Sequence, residues 1–286
     1  MNNRKLRVIY RISNNSYSKE KLWGDKNKEI CFGKMLDQFW GWSDVVNIHI
    51  IKDNVTDPYT IKFIDELIEH AKYQQSLLSD PSYTAVITTE DTNLGNAQSF
   101  WHAYRNAIDV KNFSSAEDVV YLLEDDYFHL NGSFHSLMEG IERADYVSLY
   151  DHPDKYINKI DGGDNPYIEH GGEVTRLILT DSSHWKLTNS TTMTFAAKIK
   201  TLQRDFRVWQ HYTSNGNHPN DFGAFIELRQ RGASLITPVP GMSTHTELKY
   251  LTPFVLENIA SQEMHTETEY YDHAWLYNNL PNARKR

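Results

Sequence analysis

What this sequence has little of narrows it first. A single cysteine, Cys31, stands among 286 residues. One thiol closes no internal disulfide and builds no cysteine-based zinc site, so a reducing cytosol is the expected compartment. No run of about 18 uncharged apolar residues occurs, so no membrane span is expected. Arg4, Lys5 and Arg7 near the first residue are not followed by the apolar stretch of a secretory leader. Positive charge is also in deficit. The formal net charge of −9 disfavours a nucleic-acid backbone or an anionic membrane surface as the main partner. The histidines do not fall into H-x-H or H-E-x-x-H spacing, which weakens a metal-dependent phosphoesterase reading. No internal repeat or low-complexity segment occurs.

An acidic balance still permits a phosphate ligand, because a bound divalent ion inverts the local charge. The 40 % of apolar residues suffices for one large core. Seven Trp and 17 Tyr allow stacking on sugar rings, although such residues also fill cores. Trp185, Trp209 and Tyr212 are read mainly as packing residues.

The order of elements predicts an α/β fold. Short β-rich runs at 6–12, 45–51, 83–88, 119–123 and 146–150 alternate with helical periodicity at 28–40, 60–78, 95–108 and 137–144. Such alternation gives parallel βαβ units with helices on both sheet faces. Residues 151–175 are polar and rich in Gly and Asp, which suggests a functional loop or lid. Closely spaced runs at 176–180, 184–188 and 191–197 suggest antiparallel strands. A helix over 222–231 ending at Gly232 and a strand over 234–237 complete a mixed sheet.

Glu124-Asp125-Asp126 follows the apolar run VVYLL directly. Ligands of open α/β sheets gather at the carboxyl ends of strands. Three adjacent carboxylates repel one another, and a divalent ion with hard oxygen ligands, Mg²⁺ or Mn²⁺, would compensate them. A solvated acidic turn before a helix is the alternative.

Two blocks carry a family resemblance. Residues 95–130 hold a helix with Arg105-Asn106, an apolar strand and then the acidic cluster. Residues 218–247 hold Asn220-Asp221 opening a helix, Gly232 ending it, a strand and His245. Together they resemble the GT-A fold glycosyltransferases related to family 2. Glu124 stands where that family usually has Asp, and Asn220-Asp221 where it commonly has Glu-Asp.

The resemblance implies one GT-A unit over 1–286. Residues 1–130 would be a Rossmann-like half binding the nucleotide sugar, and 131–250 an acceptor-side half with antiparallel strands. Residues 251–286 would be a C-terminal extension. It also implies transfer of a sugar from a nucleoside-diphosphate sugar, with UDP the expected nucleotide, to a hydroxyl of a glycan or glycoconjugate. Asp126 and His245 would ligate Mn²⁺ or Mg²⁺. Arg11, Ser13, Asp53, Arg105, Glu124 and Asp125 would contact the donor. Asp221 would be the general base, and a dedicated base implies inversion at the anomeric carbon. Each residue also has an ordinary reading. Asn220 or Asp221 is a good helix cap, His245 a loop histidine, Asp53 a turn aspartate and Arg11 an exposed arginine. Arg105 would then cover a helix surface with its stem. Two rival functions remain open. One is a sugar-phosphate nucleotidyltransferase, disfavoured because Ser13–Tyr17 lacks a glycine-rich phosphate loop. The other is a carbohydrate-binding protein without catalysis.

Overall fold

The computed structural model describes residues 4–14, 20–42, 44–77 and 85–255. The first strand, β1 (Leu6–Ser13), is buried along its length apart from its last residue. Val8, Tyr10 and Ile12 face one apolar layer and Ile9 the other, which is why the run does not alternate with polar residues. Four strands lie parallel: β1, β2 (Val45–Asp53), β3 (Val86–Thr92) and β4 (Val119–Glu124). Helices α1 (Asn27–Phe39) and α2 (Pro58–Ser76) cover one face, and α3 (Asn96–Ile108) covers the other. Asp57 starts α2 by accepting the Thr60 N–H at 2.8 Å, with Pro58 as the first helical residue.

Beyond β4 the chain forms β5 (Tyr127–His129), α4 (Ser133–Gly140) and β6 (Tyr146–Val147). It continues through β7 (Leu177–Leu179), β8 (His184–Leu187) and β9 (Phe195–Lys198). The last elements are α5 (Ile199–Thr213), α6 (Asp221–Gln230), β10 (Leu235–Val239) and β11 (Ser243–His245). Nine strands make one mixed sheet in the order β3-β2-β1-β4-β9-β6-β10-β8-β7, and β5 pairs with β11 in a separate antiparallel ribbon. No helix among the described residues is long and apolar enough to cross a membrane.

The structure corrects several sequence expectations. The third strand runs over Val86–Thr92, later than the expected 83–88, of which 83 and 84 lie outside the described residues. As an edge strand it needs no apolar run, so its polar half reads as loop. The expected helix over 137–144 starts earlier, at Ser133, and ends in a turn at Gly140. The third of the supposed consecutive antiparallel strands does not join β8. As β9 it inserts between β4 and β6, antiparallel to both. Helix α5 had no counterpart in the sequence reading, although Ile199, Leu202 and Trp209 lie on its buried side. The stretch 151–175, expected as a lid, is pinned down. Lys155 is 2 % exposed and its ammonium donates to Asn189 Oδ1 and Ser190 Oγ, while Lys186 pairs with Asp151 at 2.8 Å. The proposed C-terminal extension lies outside the described residues from 256 onward.

Trp185 and Trp209 are fully buried. Trp209 stacks on Phe195 with centroids 4.8 Å apart and donates to Tyr146 Oη at 3.0 Å. Replacing Trp209 with Ala should therefore cost about 3–5 kcal/mol, read from the shift of the urea unfolding midpoint. A shift worth under about 1 kcal/mol would contradict this packing.

Candidate functional site

Register brings the strand ends together. Ser13 lies opposite Asp53 across β1 and β2, Asp53 opposite Thr92 across β2 and β3, and Arg11 opposite Glu124 across β1 and β4. The sequence-predicted residues Arg11, Ser13, Asp53, Glu124, Asp125, Asp126 and His245 all line one cleft of about 220 Å³ at that edge. His245 arrives from far along the chain through the β5–β11 ribbon, where it lies opposite Tyr127. The Thr246 N–H then donates to the Asp126 carbonyl at 2.9 Å.

Each carboxylate of the cluster has its own protein cation. Arg11 Nη2 donates to Glu124 Oε1 at 2.7 Å, Lys28 Nζ lies 2.9 Å from Asp125 Oδ2, and Lys21 Nζ lies 2.8 Å from Asp126 Oδ2. The backbone N–H of Ser13 also donates to Asp125 Oδ2 at 3.0 Å. Lys28 comes from the first turn of α1. Lys21 is placed by a strand-like contact of 20–22 with 246–248, in which Leu22 N donates to Thr246 O. Sequence reading missed both lysines. Lys28 was findable as a cation opening the helix after β1, whereas Lys21 is brought in by a long-range contact that leaves no periodicity.

These pairs set the titration of the cluster. Burial opposes ionisation of Asp126, yet His245 and Lys21 outweigh it and hold the carboxyl well below the usual carboxylate range. Burial also works against the His245 cation, and Asp126 overcomes it, so His245 is raised. Glu124 moves the other way. Burial pushes it up to about 7 against the pull of Arg11, with the charges of Asp126 and Asp221 adding to the rise.

A divalent metal ion at this edge would draw on Asp126 and His245. Asp126 Oδ2 and His245 Nε2 approach within 3.2 Å, one oxygen and one nitrogen donor. However, Lys21 occupies the same Asp126 oxygen. His245 Nδ1 accepts the Glu247 N–H at 3.1 Å, so in the neutral ring Nε2 carries the proton and points it at Asp126. Among the described residues no three His, Cys, Asp or Glu side chains are arranged to hold a metal ion. As arranged, the residues do not fit a resident divalent ion. In this arrangement Arg11, Lys28 and Lys21 stand where the sequence reading expected a divalent ion to compensate the cluster.

Asp53 lines the cleft, but its oxygens are engaged. They accept the Thr92 hydroxyl at 2.9 Å and the backbone N–H groups of Leu94 at 2.7 Å and Gly95 at 3.0 Å. The carboxylate thereby fixes the turn that opens α3 and presents Asn96 to the cleft. Arg105 is not brought to the site. It is exposed on the last turn of α3, nine residues and roughly 14 Å of helix beyond Asn96. Its neighbour Asn106 uses its carbonyl to accept from Arg7.

Asp221 lies in a second cavity of about 410 Å³ that shares Asn96, Glu124 and His245 with the first. Asn220 caps α6, accepting the Gly223 N–H at 2.9 Å, and Asp221 Oδ1 accepts the Phe222 N–H at 2.7 Å. The capping reading holds, and the same cap fixes the carboxylate in the cavity. Burial pushes Asp221 up to about 6. Lys155, in the wall of this cavity, bears on Asp221 in the opposite direction. Trp185 and Trp209 take no part in either cavity, and Tyr212 packs against the core beside α6.

No protein-family profile and no curated protein matches this chain. Solved structures with a related chain course include 4-diphosphocytidyl-2C-methyl-D-erythritolsynthase from Anaerococcus prevotii. It is 10 % identical, with 92 % of this chain and 96 % of that one covered, and a TM-score of 0.45. HddC from Yersinia pseudotuberculosis is another, 13 % identical over 81 % of this chain and 88 % of that one, with a TM-score of 0.40.

If Lys21 holds the Asp126 oxygen against other cations, Lys21→Ala should bind Mn²⁺ at least about tenfold more tightly than the unaltered protein, since a partly buried ion pair is worth on the order of 1–2 kcal/mol. Titration followed by electron paramagnetic resonance of free Mn²⁺ measures this. Equal affinity in the two proteins would remove Lys21 from that role.

Proposed function

We propose that the chain transfers a sugar from a nucleoside-diphosphate sugar to a hydroxyl group of a glycan, with UDP the expected nucleotide. The observation that carries this reading is the pair of abutting cavities. One holds Arg11, Lys21 and Lys28, each paired with a carboxylate, at the carboxyl ends of parallel strands, the other presents a carboxylate of raised pKa, and Glu124 and His245 form part of the wall between them. In this reading the donor's nucleoside lies against Arg11 to Ser13. Its diphosphate lies along Lys21, Lys28 and the start of α3, where the helix dipole adds positive character. The anomeric carbon sits at the shared wall.

In the transfer, the acceptor hydroxyl in the second cavity loses its proton to Asp221. The oxygen forms its bond to the anomeric carbon as the bond from that carbon to the diphosphate oxygen breaks. The electron pair leaves on the diphosphate, which the lysines stabilise. Attack from the side opposite the leaving group inverts the anomeric centre. A carboxylate raised to about 6 is a better proton acceptor than an ordinary one and is still ionised at neutral pH.

A specific observation favours a second reading, sugar-phosphate nucleotidyl transfer. The glycine-rich loop is missing after β1, yet Lys21 and Lys28 deliver cations from that same stretch of chain. The two chemistries differ in what leaves. Purified protein incubated with a panel of nucleoside-diphosphate sugars and glycan acceptors should release a nucleoside diphosphate. Release of pyrophosphate from a nucleoside triphosphate and a sugar phosphate, with no nucleoside diphosphate formed, would replace the first reading with the second.

Asp221 gives a signature in two measurements. It works as a base only when ionised, so kcat/KM for transfer should rise about tenfold per pH unit below about 6 and level off above it. Its folded pKa lies above the ordinary carboxylate value. Its ionisation therefore lowers stability progressively as pH rises through the window ending near 6, and the loss is complete above that. Asp221→Asn removes that penalty while keeping an oxygen for the Phe222 N–H. The variant should lose transfer by about 100-fold or more, yet melt no lower than the parent at pH 7.5. A variant that stays active would move the base elsewhere, and one that melts lower would make Asp221 chiefly structural.

A further inference from the structure

A third cavity, of about 770 Å³, lies outside the site described above. Its walls are the turn at 169–172, closed by a bridge between Glu169 and Gly172, and the outer surface of α6. Two features set it beside the cavity that holds Asp221. Helix α6 lends Asp221 and Phe222 to the near cavity, and Ile226, Arg229 and Gln230 to the far one. Ile226 and Arg229 lie one turn apart on one helix side, and so do Ile226 and Gln230. The adjacent residues Ser190 and Asn189 divide between the cavities in the same way. At the sill between them Tyr167 and Phe222 lie nearly parallel, 18° apart with centroids at 6.0 Å, and Tyr167 is 60 % exposed.

The wall is held in place by a buried polar network. Lys155 and Asn165 both donate to Asn189 Oδ1 at 3.0 Å, Tyr167 N donates to Asn165 Oδ1 at 3.1 Å, and Asn189 N donates to Glu173 Oε1 at 2.6 Å. A groove fixed before its ligand arrives loses little entropy on binding. Its lining mixes an open aromatic face and the exposed Val174 with Gln230, one cation, Arg229, and two carboxylates, Glu169 and Glu173, the latter taken up in part by the Asn189 N–H, so the groove offers no positive field to an anionic chain. That chemistry suits an uncharged, hydroxyl-rich chain, which offers apolar ring faces and many hydrogen-bonding groups.

We propose that this groove binds the distal units of an extended neutral oligosaccharide whose reacting hydroxyl reaches Asp221 across the Tyr167–Phe222 sill. The proposal rests on the acceptor reading of the near cavity and adds that the acceptor is a chain rather than a single sugar. Its test is binding of the full chain to an array of immobilised glycans, neutral and charged, from single sugars to longer oligomers. UDP binding is followed in parallel by thermal shift. The unaltered protein should be retained on neutral oligomers and weakly or not at all on single sugars. Tyr167→Ala should weaken that retention about tenfold. Gln230→Trp, which fills the groove and leaves the sill intact, should do the same. Undiminished retention of both variants, or a preference for single sugars or charged chains, would overturn the proposal. Binding of UDP without binding of any glycan would also overturn it while leaving the donor reading in place. Binding of neither UDP nor glycan would remove the donor reading as well.

Discussion

Three carboxylates in a row at the end of β4 are the constraint around which this molecule is arranged. Like charges at that spacing destabilise one another in a partly buried crevice, and the fold answers with one cation apiece. The three cations have separate origins: Arg11 from β1, Lys28 from α1, and Lys21 from a segment pressed against the chain beyond β11. Correct charge balance therefore requires that strand, helix and ribbon all be in place. Asp126 is driven low because two positively charged groups converge on it, whereas Glu124 with a single guanidinium partner rises under burial. Neighbouring residues of one type thus acquire different protonation behaviour from their surroundings alone.

The same economy of placement organises the two cavities. Parallel register aligns four strand ends into one edge, and the ribbon of β5 and β11 folds His245 back over it. Helix α6 starts at the second cavity, so its cap residue and its candidate base are neighbours in sequence. The stretch 151–175 contributes a wall rather than a flap, because Asp151, Lys155 and Asn165 are buried in polar networks that would be broken by opening. Polar composition and glycine content suggested mobility there, while burial of a lysine decided against it.

Much of the architecture was legible because it depends on local pattern. Strands such as Leu6–Ser13 and Val119–Glu124 are buried on both faces, and helices such as Pro58–Ser76 show one apolar side, so each declares itself in sequence. The acidic cluster was singled out because ligands gather at strand ends, and Asp221 and His245 through the family resemblance; the structure brings all of them to two adjoining cavities. What sequence withheld was non-local. Lys21 pairs with Asp126 across 105 positions, β9 joins the sheet far from its sequence neighbours, and β3 tolerates polar residues because it lies at an edge. Arg105 illustrates the opposite error. Its place in a motif pointed toward the cleft, but the helical rise carries it to the far end of α3.

The ribbon joining 127–129 to 243–245 has a consequence for biogenesis. A nascent chain emerging from the ribosome completes the parallel half of its sheet while the segment destined to cover Asp126 is still untranslated. Contacts spanning more than a hundred positions close slowly, because loop-closure entropy is met before they form. Until then the acidic edge lacks its imidazole and the backbone N–H and hydroxyl donors of Thr246. The wall that His245 gives the cleft is thus among the last parts of the protein to be made, after every strand of the nine-stranded sheet has been translated.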